Sequence, residues 1–235
     1  MEKNQSDLSI VSEDLASLLR SIGSKRIVEK DTFLFQEGED ANELYLIKSG
    51  IIQISKLTLD GDELYLRLSK KDDIIGELTI FIENATYMLS AFAIETAEVQ
   101  VIPIKILEEK LINDGKLTFE FMKWVSNHLR KNQSKIRDLV LKGKKGALYS
   151  TLIRLSNSYG VVQENGIILN IHLTNQELAK FCAATRESVN RMLSDLKKKN
   201  VINYTPDGKI IIQDIQFLKN EIGCENCSVD ICNIY

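Results

Sequence analysis

Leu173-Thr174-Asn175-Gln176-Glu177-Leu178-Ala179, followed after Lys180-Phe181-Cys182-Ala183-Ala184 by Thr185-Arg186-Glu187-Ser188-Val189-Asn190-Arg191, is the stretch on which the reading of this chain turns. Thr174 and Glu177 have capping-box spacing: the threonine hydroxyl can accept the Glu177 amide while the glutamate reaches back. The helix so opened runs through Phe181 and breaks at Cys182-Ala183-Ala184. Thr185 then offers a second N-cap and predicts a helix over 186–199. Two helices joined by a short break of small residues make a helix-turn-helix. In the second helix Val189, Met192, Leu193 and Leu196 form the stripe to be buried, which leaves Arg186, Glu187, Asn190 and Arg191 on the opposite face. At a helix N-terminus in the major groove, arginine can take guanine O6 and N7, and glutamate can accept from cytosine N4. Thr185 and Ser188, beside the helix amides, suit phosphate.

A solvated charged face has the same composition, so the surroundings decide. Asn203 to Asp214 reads as a hairpin about Pro206-Asp207-Gly208, placed as a wing. Ile167-Ile168-Leu169, with Ile171 and Leu173, reads as short strand material ahead of the helix pair. The formal charge of −3 hides an asymmetry: residues 1–141 carry 18 Lys and Arg against 24 Asp and Glu, whereas residues 142–199 carry 10 against 4. A local excess of six positive charges around a helix-turn-helix points to double-stranded DNA. The lysines at 197–199 are unspecific.

Upstream, the period changes twice. From about Lys25 to Ile106 short strands alternate with turns: 26–28, 32–35, 43–47, 51–55, 64–68 and 98–102, punctuated by glycines at 38, 50, 61 and 76, with Leu59-Asp60-Gly61-Asp62 as a hairpin. They predict an antiparallel barrel or jelly roll. From Leu117 to about Leu141 the period is helical, with Met122, Val125, Leu129, Asn132, Ile136 and Leu139 spaced 3-4-3-4-3. That is a coiled-coil seam, and a lone Asn132 within it favours a parallel pair of helices, hence a homodimer. An amphipathic helix packed on its own barrel is the competing reading.

Downstream, Cys224, Cys227 and Cys232 form a C-x2-C-x4-C cluster, with Cys182 the one other cysteine. Three thiolates at this spacing can converge on a soft metal centre and leave a fourth ligand to be found. A disulfide framework or an unstructured tail is the alternative. Met1-Glu2-Lys3-Asn4-Gln5 lacks the apolar core of a signal peptide, and no run reaches membrane-spanning length, so a reducing cytoplasm and no membrane are expected. Cys182, in the tight turn, is read as structural. His128 and His172 lie far apart and no nucleophile or acid–base set surrounds either, which argues against an enzyme.

Jelly roll, long helix and winged helix-turn-helix, in that order over residues 20–215, resemble the Crp/Fnr family of transcription regulators. Gly76-Glu77-Leu78 is similar to the family's barrel motif, and the quoted stretch resembles its reading helix. The resemblance implies an α+β chain: an N-terminal cyclic-nucleotide-binding-type β jelly roll over 1–114, a dimerisation helix over 115–142, a winged helix-turn-helix over 143–216 and a cysteine tail over 217–235. It further implies a partner RNA polymerase and, from Arg186, Glu187 and Arg191, an inverted TGTGA-like site. The family's cyclic-AMP binders follow Gly-Glu-Leu with an Arg-Ser pair. Tyr87 and Met88 stand there and cannot neutralise a phosphate, so no cyclic nucleotide is expected. Arg67, on another strand, leaves a different ligand open.

The C-terminal cysteines resemble those of Bacillus-type Fnr regulators. That resemblance implies an oxygen-sensing [4Fe–4S] cluster controlling anaerobic and nitrate respiration, with an aspartate of the dimerisation region, here Asp138, as fourth ligand. Asp230, Glu225 and His128 are the other candidates, and Asp138 could instead be an exposed helix carboxylate. A structural zinc site or a small-molecule effector in the barrel are the rival readings.

Overall fold

The computed structural model describes residues 11–58 and 61–235. Packing divides them into two units, one reaching His128 and taking in Tyr235, the other Leu129–Ile234.

The first unit comprises α1 (Glu13–Ile22), β1 (Ser24–Val28), β2 (Phe33–Phe35), β3 (Glu43–Ser49), β4 (Ile52–Leu57), β5 (Glu63–Ser69), β6 (Ile74–Ile75), β7 (Ser90–Ala93), β8 (Ala97–Pro103), α2 (Ile104–Asn113) and the start of α3 (Gly115–Tyr159). The strands form two antiparallel sheets, ordered β1-β8-β3-β6 and β2-β7-β4-β5, the jelly roll expected. β3 shows why they close around a core. Alternate residues of a strand face opposite sides. Tyr45 and Ile47 join Ile52, Ile54 and Val99 between the sheets, while Leu44 and Leu46 meet Leu15, Leu19, Leu107 and Trp124 of the covering helices. The six strands anticipated are present, but β6, β7, α1 and α2 are additional. β6 and β7 are too short to set up a period, and α2 continues directly from β8. Residues 59–60 of the expected hairpin lie outside the described residues; Thr58 and Asp62 flank it, joined by a 2.7 Å backbone bond.

The second unit contains the rest of α3, β9 (Gly160–Gln163), β10 (Gly166–Leu169), α4 (Asn175–Phe181), α5 (Arg186–Lys198), β11 (Ile202–Tyr204), β12 (Ile210–Ile212) and α6 (Ile215–Ile222). α3 does not stop at Leu141. Gly143, at φ 59° and ψ −167°, kinks it and it resumes to Tyr159. A backbone in that region suits glycine, which has no Cβ to clash. The strands form one sheet, β11-β12-β10-β9. Ile171 and Leu173 fall outside it, because β10 ends at Leu169. Leu148, Leu152 and Leu155 of α3 and Leu178, Phe181, Val189, Leu193 and Leu196 of the helix pair are buried. Along α3, Met122, Leu129 and Ile136 are 61, 55 and 57% exposed, so this part of the expected seam is uncovered.

Candidate nucleic-acid interface and cysteine tail

The helix pair forms as its capping residues require. Thr174 Oγ1 accepts from the Glu177 amide while Glu177 accepts from the Thr174 amide at 2.7 Å, closing the capping box. Ala183 takes a positive φ of 47° in the turn, and Thr185 caps α5 by accepting from the Ser188 amide. Arg186, Glu187, Asn190 and Arg191 are exposed on α5 and Ser188 is half-buried, with Val189, Leu193 and Leu196 beneath. Asn190 also accepts from the Asn175 side chain, which ties the two helices at their polar edge. Lys144, Lys145 and Lys198 share a groove with Ser188 and Arg191. Cys182 is buried beneath the turn, its thiol pushed up to about 11 by burial and directed at Thr151 Oγ1.

In the first unit, Glu77 is not free to receive a ligand. Arg67 Nη2 donates to its two oxygens at 3.1 and 3.0 Å, and His128 Nε2 lies 3.2 Å from Oε1. Burial pushes the Glu77 carboxyl up, but the Arg67 charge and the His128 hydrogen bond outweigh it and hold it at about 2. Tyr87 turns inward, stacked on Phe35 at 3.8 Å, with its hydroxyl donating to the Glu43 carbonyl at 2.6 Å. Met88 points out, 60% exposed. The space between Phe35, Arg67, Glu77 and Tyr87 is about 20 Å³. That is near the room one water needs, whereas ligand pockets usually run to roughly 300 Å³ or more.

In the second unit, the C-terminal tail leaves α6 through Gly223, in the left-handed region at φ 60°. Ile231 and Ile234 are buried, contributing roughly 1.5–3 kcal/mol each. Asn157 Nδ2 donates to the Cys232 carbonyl at 2.6 Å and the Ile234 amide donates to Ser158 Oγ at 3.0 Å. The tail cysteines are free thiols of intermediate exposure. Burial raises the Cys232 thiol; Arg154 lowers it, and Cys224, Cys227 and Asp138 raise it again, so these groups lie within one electrostatic neighbourhood. Soft thiolate donors of that kind suit iron–sulfur or zinc chemistry. Among the described residues, however, no three His, Cys, Asp or Glu side chains are drawn into a ligand set.

Asp138 is not the exposed helix carboxylate that one sequence reading allowed. It is 7% exposed. Its Oδ1 accepts from Arg137 Nε and Nη2 at 3.1 and 2.9 Å, and its Oδ2 from Ser150 Oγ at 2.6 Å and Arg154 Nη2 at 3.1 Å. Burial raises its pKa, but these hydrogen bonds lower it further, so it stays ionised. Of the other candidates, Glu225 pairs with Arg137, and His128 is engaged by Arg67 and Glu77 in the first unit. Sequence reasoning missed Arg154 altogether. Its one sign in the sequence is a cation set between Ile153 and Leu155 in an apolar run, with Ser150, Thr151, Asn157 and Ser158 one helical turn to either side.

Residues 25–114 match the cyclic nucleotide-binding domain and residues 146–221 the Crp-like helix-turn-helix domain. Over 229 residues, 97% of this chain and 96% of its relative, the sequence is 63% identical to the anaerobic regulatory protein of Bacillus subtilis strain 168. The chain belongs to the Crp/Fnr family. This Crp/Fnr regulator is therefore a DNA-binding transcription regulator and not an enzyme. It is also 30% identical over 201 residues, 83% of this chain and 89% of the other, to the lactate racemization regulatory protein of Lactiplantibacillus plantarum. The fold is similar to that of the c-di-GMP responsive global regulator CLP of Xanthomonas campestris, with a TM-score of 0.75 at 20% identity over 86% of this chain and all of that one. A CooA mutant from Carboxydothermus hydrogenoformans gives 0.73 at 21% over 90% and 92%. Among the described residues no helix is long and apolar enough to cross a membrane.

Proposed function

We propose that this Crp/Fnr regulator acts in the cytoplasm as an oxygen-responsive homodimer controlling genes of anaerobic, including nitrate, respiration. Cys224, Cys227, Cys232 and Asp138 would hold a [4Fe–4S] cluster. The observation that carries the reading is that Arg154 bonds both Asp138 and the carbonyls of Ile231 and Asn233, on either side of Cys232, in a tail whose backbone is pinned to α3. The name of the 63% identical relative supports the anaerobic setting. When bound, the cluster supplies an oxygen-labile tie between tail and helix.

The chain's own residues do the rest. Asp138 is kept ionised by Arg137, Arg154 and Ser150, and ligation would exchange one of those hydrogen bonds for iron. The exposed seam of α3 pairs two copies, presenting two α5 helices to half-sites about one DNA turn apart. Arg186, Glu187 and Arg191 read the bases of an inverted TGTGA-like repeat; Asn190 sits with them, and Thr185 and Ser188 hold phosphate. RNA polymerase is the downstream partner. The barrel serves as a scaffold without a cyclic nucleotide, a reading supported by the inward Tyr87, the outward Met88 and the Arg67–Glu77 pair.

Anaerobic purification with iron, sulfide and zinc assays tests this. Brown protein that bleaches in air, and colourless protein when the three tail cysteines become serine, is the expected result. Colourless wild type carrying stoichiometric zinc assigns the tail to a structural site instead, and DNA binding unchanged by the serines removes the sensor altogether.

A further inference from the structure

We propose that Arg154 is the anchor through which the tail and the kink of α3 move as one body, independently of any metal. An arginine side chain carries five N–H donors in a fixed planar fork. Here each finds an acceptor. Nε donates to Ser150 Oγ at 3.1 Å; Nη1 donates to the Ile231 and Asn233 carbonyls at 3.1 and 3.5 Å; Nη2 donates to Ser134 Oγ at 2.8 Å and Asp138 Oδ2 at 3.1 Å. The side chain is 2% exposed.

Those acceptors come from three places. Ser134 and Asp138 precede Gly143 on α3, Ser150 follows it, and Ile231 and Asn233 belong to the tail. Gly143 itself offers no stop: a Cβ built there would meet nothing within 4 Å. The angle between the two arms is therefore set by what bridges them, and the fork of Arg154, with the Ser150–Asp138 bond, spans the gap. Because the same guanidinium grips the tail's main chain, displacing residues 231–234 strips two acceptors from a buried cation. The cation must then rearrange toward Asp138 and Ser134 or admit water, and either shifts the arms. Arg154 is thus a positioning residue, acting on α5 only through the helix that carries it.

Hydrogen–deuterium exchange on full-length, chelator-treated protein tests this, reading amides of 231–234 and of 139–147 together. In Arg154→Lys, which keeps the charge but loses the fork, both segments should exchange at least tenfold faster. A chain ended after Asp230 should speed exchange at 139–147 by a similar factor, with the cooperative melt retained. Asn157→Ala, an exposed change that loosens the tail alone, should do the same to a smaller degree and serves if Arg154→Lys does not fold. Unchanged protection at 139–147 in the shortened chain and in Asn157→Ala would overturn the proposal and leave Arg154 a local structural residue. Since the protein is metal-free throughout, failure of the cluster reading leaves this outcome unaffected.

Discussion

The Ser150 hydroxyl donates to Asp138 Oδ2 at 2.6 Å, and the two residues stand on opposite arms of the helix kinked at Gly143. The bond places a buried carboxylate where two arginines and a hydroxyl converge. It gives Asp138 a structural duty before any ligand arrives.

That duty has a measurable consequence. Asp138→Ala leaves Arg154 buried with one fewer counter-charge, and breaking a buried pair from one side costs about 3–5 kcal/mol. Metal-free Asp138→Ala should therefore unfold at markedly lower denaturant, whereas Cys224→Ser and Cys227→Ser, at partly exposed positions, should stay within about 0.5 kcal/mol of wild type. Equal stability of Asp138→Ala and wild type would show that the pair is relaxed in solution. Iron loss in this variant is informative only beside that melt.

Glu77 predicts an acid transition in the first unit. Its folded pKa, about 2, lies below the ordinary 4.5, so its stabilisation is present above pH 4.5 and is lost as pH falls toward 2. A shift of that size corresponds to roughly 3 kcal/mol. Glu77→Gln should flatten the dependence of melting on pH between about 5 and 2.5 while lowering stability at neutrality. If the mutant and wild type keep parallel acid profiles, the Arg67–Glu77 pair is not their cause.

At the reading helix, the exposed Arg191 and the lysines at 197 and 198 should behave differently. Arg191→Ala should cost about 1–3 kcal/mol and relax preference at a single guanine, as scored by competition with base-substituted half-sites. Lys198→Ala should weaken every sequence alike and reduce the salt slope by about one. Uniform weakening by Arg191→Ala would move that residue to the phosphate group.

The exposed seam of α3 predicts the oligomeric state. Leu129→Glu places a charge in a paired apolar row and should shift sedimentation toward monomer, with loss of affinity for the inverted repeat. Asn132→Leu should raise the stability of the pair and blur its strand number, because a lone polar seam residue fixes register at the expense of stability. A Leu129→Glu protein that still sediments as wild type would put the dimer contact elsewhere.

Much of this was legible from residues close together in the chain. Thr174 and Glu177 announce the capping box, Thr185 the second cap, and the 3-4 spacing from Met122 to Ile136 the uncovered stripe, since each depends on spacings of a few residues. α1, α2, β6 and β7 were not legible. α1 and α2 are held by packing on β3 and β8, β6 by pairing with β3 and β7 by pairing with β2 and β4, rather than by a periodicity of their own. The break at Gly143 was legible, since the first helical period ends near Leu141, but that α3 carries on through it as one kinked helix was not.

By itself, then, the sequence determined the order of parts, the caps, the basic half and the presence of three terminal thiols, all properties of neighbouring residues. Only the tertiary structure decided that Asp138 is buried and ionised, that Glu77 is already occupied by Arg67, and that Arg154 binds helix and tail together. Besides the neighbours Arg137 and Ser150, these depend on partners up to 79 positions apart, and a buried charge takes its character from the partners that folding brings to it.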